Sequence, residues 1–162
     1  MILSNSVNDA WLGRTAAIEY DNAIQYAGVL VQSKPHKDIL PGMVMKDLGN
    51  KRMALYDGTG TPFGLASLFD APTYGERGIS QVGSNGEFTA IVGTSNTTVR
   101  IQKVALDTSS AFTVKEDGTA VPVYANADGK VSATEAGKPI GKLLEVADDS
   151  IVIQLYSPAI SA

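Results

Sequence analysis

The side chains able to carry chemistry are few and scattered. His36 is the only histidine, and it sits between Pro35 and Lys37, beside Asp38, in a segment that reads as an exposed loop. A Ser-His-Asp hydrolase would have to use it, and no Gly-x-Ser-x-Gly elbow is present to hold the serine. One histidine also cannot build the multi-histidine metal sites of hydrolases. Carboxylates for a glycosidase pair exist, but Asp57, Asp70, Glu76, Asp117, Asp128, Asp148 and Asp149 fall in turns. Acids in turns cap backbone N–H groups and face water. Glu19, Glu87 and Glu145 lie on or near strand-like runs, and nothing in their spacing makes two converge. Asn126-Ala127-Asp128-Gly129 opens like a calcium loop, yet Gly137 stands where the loop needs a bidentate glutamate. Asp57-Gly58-Thr59-Gly60-Thr61 is glycine-rich but lacks the lysine and the following helix of a phosphate-binding loop. Both read as turns. The sequence points away from an enzyme and supplies no catalytic residue, metal site or cofactor site.

The elements that position these residues follow from composition and pattern. The 162 residues suit one domain, or one domain with an arm. Hydrophobic residues make up 44% of the chain, enough for a core, and charged residues only 19%. The latter is below the roughly 25% of an average soluble domain. A low charge fraction suits a chain whose surface meets other protein. The net charge is −4, and the densest basic group, Lys46, Lys51 and Arg52, has Asp47 inside it. Nucleic acid and anionic membrane surfaces both need clustered cations, so neither is the expected partner. The absence of cysteine excludes disulfides and thiol chemistry and fits assembly in a reducing cytoplasm. The N-terminus Met1-Ile2-Leu3-Ser4-Asn5-Ser6 lacks the basic and apolar regions of a signal peptide. No run approaches the ~20 apolar residues of a membrane helix. A soluble protein is expected.

Helical signal is confined to Ser6–Ala17, where Val7, Ala10, Trp11 and Arg14 recur at helical spacing and Gly13 weakens the pattern. From residue 26 onward the pattern is β. Strands are expected at Tyr26–Gln32, Met43–Lys46, Arg52–Tyr56, Phe63–Phe69, Gly86–Val92, Thr98–Leu106, Phe112–Lys115, Val121–Tyr124, Lys130–Ala133, Gly141–Val146 and Ile151–Tyr156. Leu48-Gly49-Asn50, Asp57-Gly58, Asn85-Gly86, Asp117-Gly118 and Asp128-Gly129 supply the positive-φ residues of tight hairpins. This predicts a mainly β fold with little helix, a small barrel or sandwich.

Two series share an order of motifs. Gly42-Met43-Val44-Met45, Asn50-Lys51-Arg52-Met53 and Thr61-Pro62-Phe63-Gly64-Leu65 form one; Val121-Pro122-Val123-Tyr124, Asp128-Gly129-Lys130-Val131 and Lys138-Pro139-Ile140-Gly141 form the other. They read either as two related β-units, 41–106 and 112–157, or as two ordinary hairpins. The first 35 residues differ in texture from the body at 36–162. Ile18, Tyr20, Ile24, Tyr26, Val29 and Val31 have no obvious local partners there. They form either an extended arm that orders against a neighbouring protein or the first strands of the body. Trp11, the only tryptophan, is a core residue under one reading and an interface anchor under the other. With the other six it makes the candidate partner-binding set.

One stretch is more specific. Val44-Met45-Lys46-Asp47-Leu48-Gly49-Asn50-Lys51-Arg52-Met53-Ala54-Leu55-Tyr56-Asp57-Gly58-Thr59, followed by Phe63-Gly64-Leu65-Ala66, resembles the head decoration protein of phage lambda and its relatives. Gly86-Glu87-Phe88 and the apolar run to Val92 resemble that family's next strand pair, and the span Asp128 to Ile153 resembles other small capsid-cement proteins. The resemblance implies a β-tulip-like body with an N-terminal arm. It implies a homotrimer on the outer surface of the expanded capsid, with the arm adding to strands of the major capsid protein and bracing the shell. The chain is longer than lambda-type proteins, mainly after Gln102. On this reading, deleting the residues before Lys34 abolishes shell binding and leaves a folded β-domain. The alternative is a head-fibre or carbohydrate-binding β-module using Tyr20, Tyr26, Tyr56, Tyr74, Tyr124 and Tyr156.

Overall fold

Short apolar runs broken by residues that tolerate positive φ dictate strands joined by tight turns. The computed structural model describes residues 18–31, 39–67 and 87–158. Within them run β1 (Glu19–Asp21), β2 (Ile24–Leu30), β3 (Val44–Gly49), β4 (Arg52–Leu55), β5 (Thr61–Ala66), β6 (Glu87–Val92), β7 (Thr97–Gln102), β8 (Pro122–Ala125), β9 (Val131–Ser132), β10 (Gly141–Val146) and β11 (Ser150–Leu155). A single 3₁₀ turn, Lys103–Ala105, follows β7. The β3–β4 hairpin turns on Asn50 and Lys51, at φ 53° and 60°. That is the doubly left-handed geometry that matches strand twist. Gly49 takes the positive φ expected of it, at 81°, and pairs with Arg52 beside a bulge.

The strands form a closed five-stranded barrel, β2-β4-β3-β5-β6, and a six-stranded sheet, β1-β7-β11-β10-β8-β9. All pairings between named strands are antiparallel except β2 with β4. In chain order, β2 to β6 and β7 to β11 follow one plan. The second strand of each set lies between the third and fourth, the fifth pairs with the fourth, and the first pairs with the fifth. The registers agree as well. Asp47 opposes Met53 across the first hairpin, and Ala125 opposes Val131 across the second, with loops of equal length. Met45 faces Gly64, and Val123 faces Gly141. The first set closes through the parallel pair Leu30–Met53, with the Val31 N–H donating to the Met53 carbonyl at 2.8 Å. The second carries a parallel bridge Leu106–Val131, with the Asp107 N–H donating to the Val131 carbonyl at 2.8 Å. The two motif series of the sequence therefore fall at corresponding places in the two sets.

A single hydrophobic cluster joins the sets, including Met45, Met53, Leu65, Phe88 and Ile91 from the first and Val99, Ile101, Val123, Ile151 and Ile153 from the second. β3 begins with two buried residues in succession, Val44 and Met45, because one pleat face looks into the barrel and the other is covered too. Each such side chain contributes about 1.5–3 kcal/mol by leaving water. The second hairpin docks on the first set through the Val44 N–H, which donates to the Gly129 carbonyl at 2.7 Å.

Some expectations fail. Phe112–Lys115 is not a strand: only Phe112 packs on the core, Val114 is exposed, and polar residues follow. The strand expected at Thr98–Leu106 ends at Gln102, where the chain tightens into the 3₁₀ turn and Lys103 N–H bonds the Asp149 carbonyl at 2.9 Å. β1 is a strand that the sequence did not announce, because its three residues are all exposed. The helix expected at Ser6–Ala17 lies outside the described residues.

Asp107 fastens the closure of the second set. Its Oδ1 accepts the Ser109 hydroxyl at 2.7 Å and the Ser109 N–H at 3.0 Å, and its Oδ2 accepts the Ser132 hydroxyl at 3.0 Å. These bonds, the Ser109 hydroxyl foremost, hold the carboxyl down at about 2. A carboxyl depressed in the folded state stabilises fully above its unfolded-state value and loses that contribution as pH falls through the folded one. Asp107→Asn is therefore expected to lower the melting temperature at neutral pH and to flatten its fall between about pH 4 and pH 2. Thermal melts across that range check it; parallel curves for the two proteins would sink the assignment.

Candidate interaction surface

The candidate set begins on two short strands. β1 pairs with β7, Tyr20 opposite Val99, so it belongs to the second sheet. After Asn22 and Ala23 the chain enters β2, which pairs with β6 from Ile24–Val92 to Val29–Glu87 and so belongs to the barrel. Asn22, at φ 59°, makes the crossing. Its carbonyl accepts the hydroxyls of Thr94 at 2.8 Å and Thr97 at 2.7 Å, tying the β1–β2 link to the β6–β7 link. Thr97 is fully buried, as a hydroxyl with a fixed partner tolerates.

This path divides the set. Tyr20, Ile24 and Val29 are exposed, at 37%, 57% and 41%. Ile18 and Tyr26 turn toward the core, Tyr26 meeting Phe63 edge-on with ring centroids 5.3 Å apart. Val31 is half-buried and tied to Met53 through its backbone. Trp11 lies outside the described residues, as does His36. The Gln25 side-chain amide donates to the Tyr20 hydroxyl, so the outer faces of β1 and β2 adjoin.

Other exposed apolar residues were not singled out from sequence: Leu48, Leu144 and Val146; Tyr156, one of the six tyrosines offered for glycan stacking, is exposed as well. Leu144 was findable. In the run Leu143-Leu144, alternation buries only one, and a bulge between Leu143 and Glu145 turns the other out. Of the tyrosines offered for glycan stacking, Tyr124 is buried and Tyr26 serves the barrel, while Tyr74 lies outside the described residues.

A cleft of about 230 Å³ lies where the two sets meet, lined by Pro62, Phe63 and Gly64 on one side and Lys138, Pro139 and Ile140 on the other, with Tyr156 and Pro158 at its end. It joins the two Pro-apolar-Gly segments noted in the sequence. Its lining is apolar apart from Lys138, Thr61 and Ser157, so it suits packing against a hydrophobic group.

Among the described residues, the carboxylates with displaced titration are displaced downward by the hydrogen bonds they accept. Lys46 Nζ lies 2.9 Å from Asp57 Oδ1, and that bond, followed by the Thr59 hydroxyl, holds Asp57 well below the usual carboxylate range. The Thr119 hydroxyl and N–H do the same for Asp117. Such groups are fixed acceptors rather than an acid and base with separated pKa values. Arg100 bonds the Ser150 hydroxyl at 2.7 Å and Glu145 at 3.1 Å, bracing the β7-β11-β10 face. Among the described residues, no three of His, Cys, Asp and Glu gather to hold a metal.

What the surface offers is strand edges, isolated apolar side chains and a shallow apolar cleft, the vocabulary of protein–protein contact. No curated protein and no solved structure matches the chain. The phage cement protein family matches it from residue 4 to residue 162, and the chain belongs to that family of structural, capsid-stabilising virion proteins.

Proposed function

We propose that the protein binds the outer surface of the expanded capsid as a homotrimer, against the major capsid protein, and braces the shell against the pressure of packed DNA. It is made in the host cytoplasm and acts without cofactor, metal or nucleic acid. The family match along almost the whole chain carries the reading. Residues 1–35 supply the capsid-contacting segment, with Trp11 and the exposed Tyr20, Ile24 and Val29 as contacts. A trimer engages three sites at once, so modest single contacts add to firm attachment.

Co-sedimentation of the purified protein with expanded and unexpanded shells tests this. Saturable binding to expanded shells, in a whole-number ratio to the capsid protein, is expected. Light scattering is expected to give three times the 17.0 kDa of the chain. Binding to neither shell would remove the proposal.

A further inference from the structure

The common plan of the two strand sets exposes one place where they differ. The carbonyl and N–H pattern of β2 fixes which way its residues point. Val29 and Val31 donate their N–H groups toward β4, to the carbonyls of Lys51 and Met53, both at 2.8 Å. With the twofold period of a strand, Gln25 and Ala27 send their N–H and C=O groups to the same side. β4 reaches only Val29 and Leu30. No strand among the described residues lies beside Gln25–Ala27, and Gln25 and Ala27 are both exposed.

The corresponding stretch of the second set is Thr98–Arg100. Gln25 and Ala27 pair with Ile91 and Thr89, as Thr98 and Arg100 pair with Gln154 and Val152. There the outer edge is occupied: β1 lies on it antiparallel, Asp21 opposite Thr98 and Glu19 opposite Arg100. Among the described residues the same edge is thus filled in one set and open in the other. β1 is acidic at both ends, with Glu19 in register with Arg100 and Asp21 with Thr98. At the end of the open edge that corresponds to Arg100 stand Lys51 and Arg52, both exposed. Tyr20 and Val29, also exposed, flank the edge at its two ends.

We propose that the chain is two related β-units, 24–92 and 97–155, and that the outer edge of Gln25–Ala27 is a strand-acceptor site. Its occupant is an extended segment of the capsid protein, antiparallel to β2, with an acidic residue opposite Ala27. This deepens the cement reading and rests on it. Backbone pairing supplies attachment, the basic pair holds the acidic residue, and the tripling of a trimer compensates for so short a strand.

Ala27→Pro tests the site. Its N–H faces away from β6, so the ring removes no barrel bond and blocks the incoming strand. The variant is expected to melt within a few degrees of the wild type and to bind expanded shells at least tenfold more weakly. Wild-type binding is expected to weaken with salt, and hydrogen exchange at the amides of Gln25 and Ala27 is expected to slow on shells. A folded Ala27→Pro that binds shells normally overturns the proposal. Unchanged exchange at both amides does so too, and this decides the matter even if the variant misfolds. A fall in the mass of the free protein on Ala27→Pro makes the occupant a second copy and overturns the assignment to the capsid. Wild-type protein that binds no shell overturns the cement reading itself.

Discussion

Deleting residues 2–33 is expected to leave a chain with no cooperative thermal transition, not the folded β-domain that the arm reading implied, whereas deleting residues 2–17 is expected to leave one close to the wild type. The first deletion takes β1 and β2. β2 holds the barrel shut, pairing along β6 from Ile24 to Val29 and reaching β4 through Val29 and Leu30. It also carries Tyr26 against Phe63 and Leu30 against the core. Several backbone bonds at roughly 1 kcal/mol each, with two apolar side chains at roughly 1–3 kcal/mol each, approach the 5–15 kcal/mol that holds a domain together. Opening the barrel also bares the edges of β4 and β6, an aggregation hazard. The second deletion removes Trp11 and stops before Ile18, so it tests the arm as a capsid contact without touching the barrel. Circular dichroism melts of both truncations check this. A sharp transition in the longer deletion would show that β2 is dispensable. Loss of shell binding by the shorter one, with its fold intact, would place the contact before Ile18.

Alternation and turn chemistry made most of the fold legible. Gly141–Val146 is the strand that its pattern predicts, and the runs around β3, β4, β8 and β11 differ from their strands only at the ends. Long-range pairing was not legible. Ile24 to Val31 has no partner nearby in sequence, so an arm and a first strand were equally consistent with the residues; β2 finds its partner at Phe88 to Val92. β1 was invisible because a three-residue exposed strand has no hydrophobic alternation to show. The common plan of the two sets was faint because few of its positions carry the same residue type. Glycine persists where backbones touch, and a buried apolar residue persists where the sets close, as Met53 and Val131 do. The candidate residues mixed two populations for a related reason. Tyr26 and Val29 look alike in an apolar run, and only pairing with β6 decides which of them turns toward Phe63 and which faces outward.

Gly64→Ala and Gly141→Ala are each expected to cost about 2–4 kcal/mol, as overpacking against an unyielding wall does. The two glycines stand at corresponding places in β5 and β10, opposite Met45 and Val123, and each backs onto a carbonyl of the next strand. A methyl group at Gly64 would sit 2.5 Å from the Ile91 carbonyl oxygen, and one at Gly141 would press on that of Gln154. Neither obstacle is a side chain that can rotate away. Both carbonyls belong to strands paired to the glycine's own strand, so relief means opening β5–β6 or β10–β11. Gly118 supplies the contrast. It has φ +78° and nothing within 4 Å of an added methyl, so alanine there meets only backbone strain of about 1–2 kcal/mol. In a chain of this size each kcal/mol moves the melting temperature by roughly 2–4 °C. The first two variants are therefore expected to melt about 4–16 °C low and Gly118→Ala about 2–8 °C low. Melts of Gly64→Ala and Gly141→Ala within 2 °C of wild type would mean that the strands can separate at little cost. These backbone approaches would then not be what requires glycine at both places, and the case for two related units would rest on strand order and register alone.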